Sequence, residues 1–471
     1  MSKTLIWILI FFILLFFFIY GFSNSYISRN LSNLAYVFSL GIDKGENAKF
    51  KITAQFTKNS AISKGNSSDD SSNFVLTSCE ADSIFSGINL INSYIGREVN
   101  LAHCSVVVFS KEIAEQGISE EIYSLINNEE IRPGANLVIS NCSAYDYINN
   151  VKPNIETLAS HYYETFSITS KFTGYIADIT IGNFFNDLSG KSGDSTAILG
   201  GLNLTARDND NKTSENNSSS SGGSESGSSS SESSSKDSKN SNSSSEDSSN
   251  NSESGGESSE NSPSSSNEQN SAQSSVITSQ ENLIAGSSSI SGERGTENLG
   301  LAVFKNDKYC GDLTVFETIS HLLINNKIST CVVSINNPLN DGSKMELQIS
   351  PEKKAKINTK IENDKLKINV KLDLVADIIS LDNEIDYENN VILEKVSETA
   401  SSYFNEELNK YFNKVSKEYS VDIDKFCLSS LKYFPTEKDF ENFNWDEKYK
   451  NAEFSTDINV NVVSSLLVTK T

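Results

Sequence analysis

The sequence predicts a mixed α/β and α+β fold of several domains behind an N-terminal transmembrane helix. Three observations carry this. Residues 5–22 are unbroken apolar sequence, with no charge between Lys3 and Arg29. The rest alternates between period-two stretches, which mark half-buried strands, and helical spacing. A Ser/Asn-rich tract from about Arg207 to Asn282 holds almost nothing apolar. At 471 residues the chain is long enough for two or three folded units.

Residues 5–22 as a helix, at ~1.5 Å per residue, extend about 27 Å, close to the hydrocarbon thickness of a bilayer. Trp7 and Tyr20 lie near the ends, where amphipathic rings favour the membrane interface. Lys3 and the amino terminus mark the cytoplasmic side, so the bulk of the chain is expected outside. A cleavable signal peptide would have a shorter apolar core and small residues at the cut, and Gly21-Phe22-Ser23 is a poor match. A buried core helix is the third reading. The expectation is an uncleaved anchor over 1–23.

The net charge is −23, from 62 acidic and 39 basic side chains. This argues against nucleic-acid binding, which needs a basic footprint, and against docking on anionic lipid by charge. Six Cys are scattered without a C-x-x-C pair, so no metal site is expected from them. The three His (103, 161 and 321) are isolated, and a core or surface role is expected of each.

After the anchor, residues 34–42 are apolar and end at the turn signal Asp43-Lys44-Gly45. Phe50, Ile52, Ala54 and Phe56 alternate with polar residues, so these two segments read as an antiparallel pair. A third strand is expected over 74–79. Ile84, Ile88, Ile91 and Ile95 recur at helical spacing behind the N-cap candidates Asp82 and Ser83. The run 99–109 reads as one strand covered on both faces, with His103 hydrogen-bonded and partly buried. Ser110 is then expected to cap one helix over 111–128, followed by a strand at 135–141 and a short helix opened by Ser143. Strand–helix–strand order is α/β architecture with parallel pairing.

Residues 196–204 and 301–304 read as short strands flanking the Ser/Asn tract, so the tract reads as a swollen, disordered loop between paired strands. A short helix is expected over 317–325. Further on, Met345, Leu347 and Ile349 alternate, as do Ile357, Thr359 and Ile361, and Leu366 through Leu374. A long helix over 388–419 carries an apolar stripe from Ile392 to Tyr419. Ile458, Val460 and Val462 make a fourth strand. This end reads as an antiparallel sheet with a helix on its apolar face.

No phosphate-binding, dinucleotide, zinc-protease or nucleophile-elbow motif is present, and carboxylate clusters read as solvated surface. Neither catalytic residues nor a cofactor is expected.

The ordered stretches LAYVFSLGIDKG (34–45), IGREVNLAHCSVVVFSKEIAEQGI (95–118), EEIRPGANLVIS (129–140), GLAVFKNDKYCGDLTVFET (300–318) and NWDEKY with DINVNV (444–462) together resemble the Ger(x)C family. Its members are the C-subunits of spore germinant receptors in endospore-forming bacteria. The resemblance implies three mixed domains: 24–190, a middle domain over 191–335 interrupted by a loop at 207–290, and an α+β domain over 336–471. It implies assembly with a permease-like subunit and a larger integral-membrane subunit in the spore inner membrane. Gly41, Asp43, Arg97, His103, Arg132, Pro133, Gly311 and Trp445 match family signature positions, expected to determine the fold. Relatives carry a lipid-bearing Cys followed by Trp where this chain has Ser25-Tyr26, and no Cys precedes Cys79. Lipidation there is impossible, so the apolar helix would anchor the chain itself. Ser320 stands where relatives tend to have Gly. Two other function classes stay open: a stand-alone solute-binding protein of the cell envelope, and an envelope hydrolase.

Deleting 207–282 and closing with a short turn is expected to leave the melting temperature almost unchanged, because long loops add little closure entropy. Loss of cooperative unfolding in that variant would make the tract structural.

Overall fold

The structure, a computed structural model, describes residues 3–22, 33–57, 74–151, 159–190, 193–203, 282–292, 294–363, 365–380 and 389–463. The chain divides into a unit of Met1–Asp210 with Thr278–Thr471 and a second of Asn211–Ile277. The second unit, and with it most of the tract expected to be disordered, lies outside the described residues.

Helix α1 (Lys3–Phe22) is 20 residues long, with no acidic residue in its first turn and no basic one in its last. Its side chains are described at 6–8 and 10–16, and every one is apolar and exposed. These are fewer than a span requires, and among the described residues no helix is long and apolar enough to cross a membrane.

The first sheet has the order β3-β2-β1-β5-β6-β7-β8-β9, with β4 beside β1. Its strands are β1 (Leu34–Lys44), β2 (Phe50–Thr57), β3 (Phe74–Ala81), β4 (Glu98–Asn100), β5 (Val106–Ser110), β6 (Asn136–Ser140), β7 (Thr196–Leu202), β8 (Thr296–Lys305) and β9 (Lys308–Leu313). β1, β5, β6 and β7 run parallel, and antiparallel strands extend the sheet on both sides. β5 and β6 are buried along their whole length, which is why their sequences are nearly continuous apolar runs. Helices α2 (Ile84–Ile95), α3 (Lys111–Gln116), α4 (Ser119–Ile126), α5 (Ala144–Asn149), α6 (Ala159–Glu164), α7 (Phe166–Phe172) and α8 (Ile181–Ser189) lie in the connections.

Several local expectations need correction. The strand expected over 99–109 is two strands. The side chain of Asn100 accepts from Ala102 N–H at 3.2 Å and Cys104 N–H bonds Leu101 O, a local turn that competes with the ladder. The helix expected over 111–128 breaks at Gly117, whose φ of 109° ends α3. The chain is held there by Asp307, which takes Ile118 N–H on its carbonyl and Ser119 Oγ–H on its carboxylate. Ser110 starts α3 without a side-chain cap bond. The loop expected to run to 290 is too long at its end, since the described residues from 282 are packed: Ala285 is buried, and Glu297 accepts from Gly286 N–H at 2.6 Å and Ser288 N–H at 3.1 Å. β7 and β8 flank the tract as an antiparallel pair, as the swollen-loop reading requires.

The second sheet has five strands: β10 (Cys331–Asn336), β11 (Lys344–Pro351), β12 (Lys356–Glu362), β13 (Lys365–Ile378) and β14 (Glu453–Val463). β11 and β12 pair antiparallel with opposite halves of β13. β14 pairs with β13 in parallel, so this sheet is mixed where an antiparallel one was expected. The reason is the connection: the chain leaves β13, runs back through α10 (Asn390–Asn413), and must re-enter in the same direction. The long helix is α-helical to Asn413 and widens into a π-helical turn, Lys414–Tyr419. β10 has no counterpart in the expected elements. The domain limits expected near 190 and 335 fall close to paired strands, since β6 bonds β7 and β10 belongs to the second sheet.

Asp422 joins the two sheets. Its N–H donates to Asp194 Oδ2 at 2.9 Å, and Asp194 N–H donates back to Asp422 O at 3.3 Å. The Asp422 carboxylate accepts from Phe426 N–H, Cys427 N–H and the Trp445 indole N–H, at 2.9, 2.8 and 3.0 Å. Asp194 also accepts from Asn306 N–H in the β8–β9 turn. Nearby, helix α9 (Val315–Ile324) carries buried His321, whose Nδ1 lies 2.8 Å from Asp424 Oδ1, while Tyr411 donates to Asp424 Oδ2 at 2.7 Å. Tyr419 packs against Gly311, where an added Cβ would come within 2.3 Å of its ring.

Burial pushes the Asp422 carboxyl up to about 7, against the two amide hydrogen bonds that pull it down. The native state therefore holds a proton that the unfolded chain releases between the ordinary carboxylate range and about pH 7. Stability from this group is full below that window and falls as pH rises through it. The melting temperature is expected to drop between pH 5 and pH 8, and Asp422→Asn should flatten that slope while lowering stability at both pH values. An equally steep slope in the variant would remove Asp422 as the cause.

Candidate functional site

Open α/β sheets bind ligands outside the carboxyl ends of their strands, where the strand order reverses. Here the reversal lies between β1 and β5, and the chain fills the place itself. Asp43, at the carboxyl end of β1, accepts from Ala144 N–H at 2.6 Å and Tyr145 N–H at 2.9 Å, capping the first turn of α5. Burial raises its pKa, while those amide bonds oppose the shift. Two residues earlier, a Cβ on Gly41 would lie 2.8 Å from Ile148 Cδ1 and 3.2 Å from Ala144 Cβ. Only glycine lets α5 approach β1 so closely.

At the opposite, amino ends of the same parallel strands lies a cavity of about 1030 Å³. Residues 34–36 opening β1, the end of β2, the start of β3 and the loops before β5 and β6 form its wall. α2 ends at Gly96 (φ 63°) and presents Arg97 to the cavity. The turn built on Asn100 presents His103, and the loop before β6 presents Arg132. Three signature positions, from two stretches of the sequence, thus line one cavity. The expectation of a hydrogen-bonded, partly buried His103 is corrected: its ring is exposed and packs edge-on against Tyr36, with centroids 5.0 Å apart. The strand that was to bury it ends at Asn100.

His161, Glu164, Ser167 and Asp178 also lie on the lining. Sequence reasoning singled out none of Glu164, Ser167 or Asp178, because they come from a region with no clear periodicity. Arg97, Arg132, Glu164 and Asp178 make no ion pair with one another. Leu34, Phe38, Phe56, Val75 and Ile95 give the cavity apolar walls.

The other signature positions lie elsewhere. Pro133 O accepts from Gly182 N–H at 2.8 Å, tying the loop before β6 to α8. Gly311 lies beneath Tyr419, and Trp445 bonds Asp422. His321 is in the buried Asp424 network and lines no part of the cavity. All six cysteines are free thiols, with Cys104, Cys331 and Cys427 buried. Among the described residues no group of three or more His, Cys, Asp or Glu is placed to hold a metal ion. The cavity therefore offers charge of both signs and apolar surface, an arrangement suited to holding a ligand or a partner.

Residues 28–203 match the spore germination protein N-terminal domain, and residues 299–465 match the spore germination B3/GerAC-like C-terminal domain. Comparison with curated protein sequences gives no match. Among solved structures the chain is similar to the one titled "Crystal Structure of the GerBC protein", at 13% identity and a TM-score of 0.46, covering 90% of this chain and 96% of that one. The two domain matches take in most of the chain on both sides of the Ser/Asn tract: the protein belongs to the Ger(x)C family of spore germination proteins.

Proposed function

We propose that this chain is a membrane-anchored accessory subunit of a nutrient germinant receptor, acting through complex assembly or signal coupling without turnover. The observation that carries this is α1. Its described side chains are all apolar, and all are at least 39% exposed. A helix apolar on every face has no wet side, so it needs an apolar surrounding that the folded unit does not supply. Residues 5–22 are long enough to meet that need in a bilayer, and the missing lipid-bearing Cys leaves the helix to do the anchoring.

In this reading α1 stays uncleaved in the spore inner membrane and the bulk of the chain faces outward. The partners are a permease-like subunit and a larger integral-membrane subunit. Of the eight signature positions, Gly41, Asp43, Pro133, Gly311 and Trp445 hold the fold, while the exposed Arg97, His103 and Arg132 shape the cavity wall. Nucleic acid has no place in the reading, given the net charge of −23.

Affinity purification of a tagged copy from detergent-solubilised spore membranes is expected to recover both integral-membrane partners. Recovery of the chain alone, from membranes in which those partners are intact, would contradict the receptor reading.

A further inference from the structure

The geometry points to the cavity at the amino ends of β1, β5 and β6 as a binding site for a zwitterionic amphiphile, a phospholipid bearing a phosphate and an ammonium group. The charge pattern selects the head group. Arg97 and Arg132 offer planar donor forks suited to a phosphate, and His103 and His161 stand on the same lining. Glu164 and Asp178 line it too. A simple anion would meet both carboxylates and a simple cation both guanidiniums. A ligand with both charges satisfies both sets, which make no ion pair with each other among the described residues.

The walls and the size select the rest of the molecule. Leu34, Phe38, Phe56, Val75 and Ile95 offer apolar surface beside the charged rim, the complement of a head group joined to an acyl chain. About 1030 Å³ lies at the upper end of ligand pockets, more than a small polar solute fills. Ile168 and Phe172 sit one turn apart on α7, 60% and 51% exposed, on the helix that also supplies Ser167 to the lining. Their exposure leaves apolar surface facing outward from that helix.

Position agrees, and this step rests on the anchor reading above. Leu34 stands 12 positions after the last residue of α1. At ~3.5 Å per residue, chain of that length reaches at most about 40 Å. A chain anchored by α1 therefore keeps Leu34, on the cavity wall, within about 40 Å of the end of that helix.

The test is native mass spectrometry of the full-length chain released from detergent micelles holding equal amounts of phosphatidylethanolamine and phosphatidylglycerol. One phosphatidylethanolamine per chain is the expected adduct, with phosphatidylglycerol retained far less. R97A/R132A should lose the adduct more than tenfold with unchanged circular dichroism, since both side chains are exposed. E164Q/D178N should erase the preference over phosphatidylglycerol. Soluble O-phosphoethanolamine at the same concentration should not be retained. Equal retention by R97A/R132A places the lipid on α1 or elsewhere and overturns the site. Absence of any lipid adduct overturns it as well. Unchanged selectivity in E164Q/D178N overturns the zwitterion, and binding of O-phosphoethanolamine as strong as the lipid's overturns the amphiphile. Washing spore membranes at high salt separates the two readings: a chain that washes off yet retains phosphatidylethanolamine refutes the anchor and leaves the site standing.

Discussion

The rest of the structure depends on one buried residue, Asp422. Its main chain exchanges two hydrogen bonds with Asp194, and its carboxylate takes two backbone amides and the Trp445 indole. Residues before β7 and in the last third of the chain thereby share a single partner. A carboxylate buried this deeply is tolerated because donors surround it, and removing it would strand those donors in the interior. The neighbouring contacts follow the same logic. Asp424 gathers His321, Asn325 and Tyr411, and Lys425 pairs with Asp187 next to the same junction. Tyr419 reaches Gly311 because the π-helical turn after α10 carries it there.

That junction bears on function through what it leaves free. With the sheets locked together and the carboxyl ends of the first sheet closed by Asp43 and α5, the place where such sheets usually take a ligand is occupied from within. The amino ends stay open, and there the turn after α2 and the loops before β5 and β6 bring Arg97, His103 and Arg132 to one lining. Strands fix the positions of these loops, so the cavity wall is set by the sheet even though its charged residues come from irregular segments.

Much of this was legible because periodicity reports burial. The alternation of Met345 to Ile349 and of Leu366 to Leu374 marks strands with one wet face, and β11 and β13 show that pattern. The continuous VVVF run marks a strand covered on both faces, as β5 is. Direction was not legible: the alternation in β14 is the same whether it runs parallel or antiparallel to β13. The breaks at 101–105 and at Gly117 were hidden because distant partners hold them, Glu130 accepting from Leu101 N–H and Asp307 from Ile118 N–H. Signature matching named three residues of the cavity wall without revealing that they meet. Nothing in the sequence around Asp422 marks it, since its partners at Asp194 and Trp445 come from far along the chain.

Calorimetric unfolding of the intact chain tests most directly whether Asp422 and its neighbours make the two sheets one unit. A joint of this kind predicts a single transition in which the calorimetric and van't Hoff enthalpies agree. Two separated transitions, with the region of β10 to β14 melting apart from the first sheet, would contradict the account.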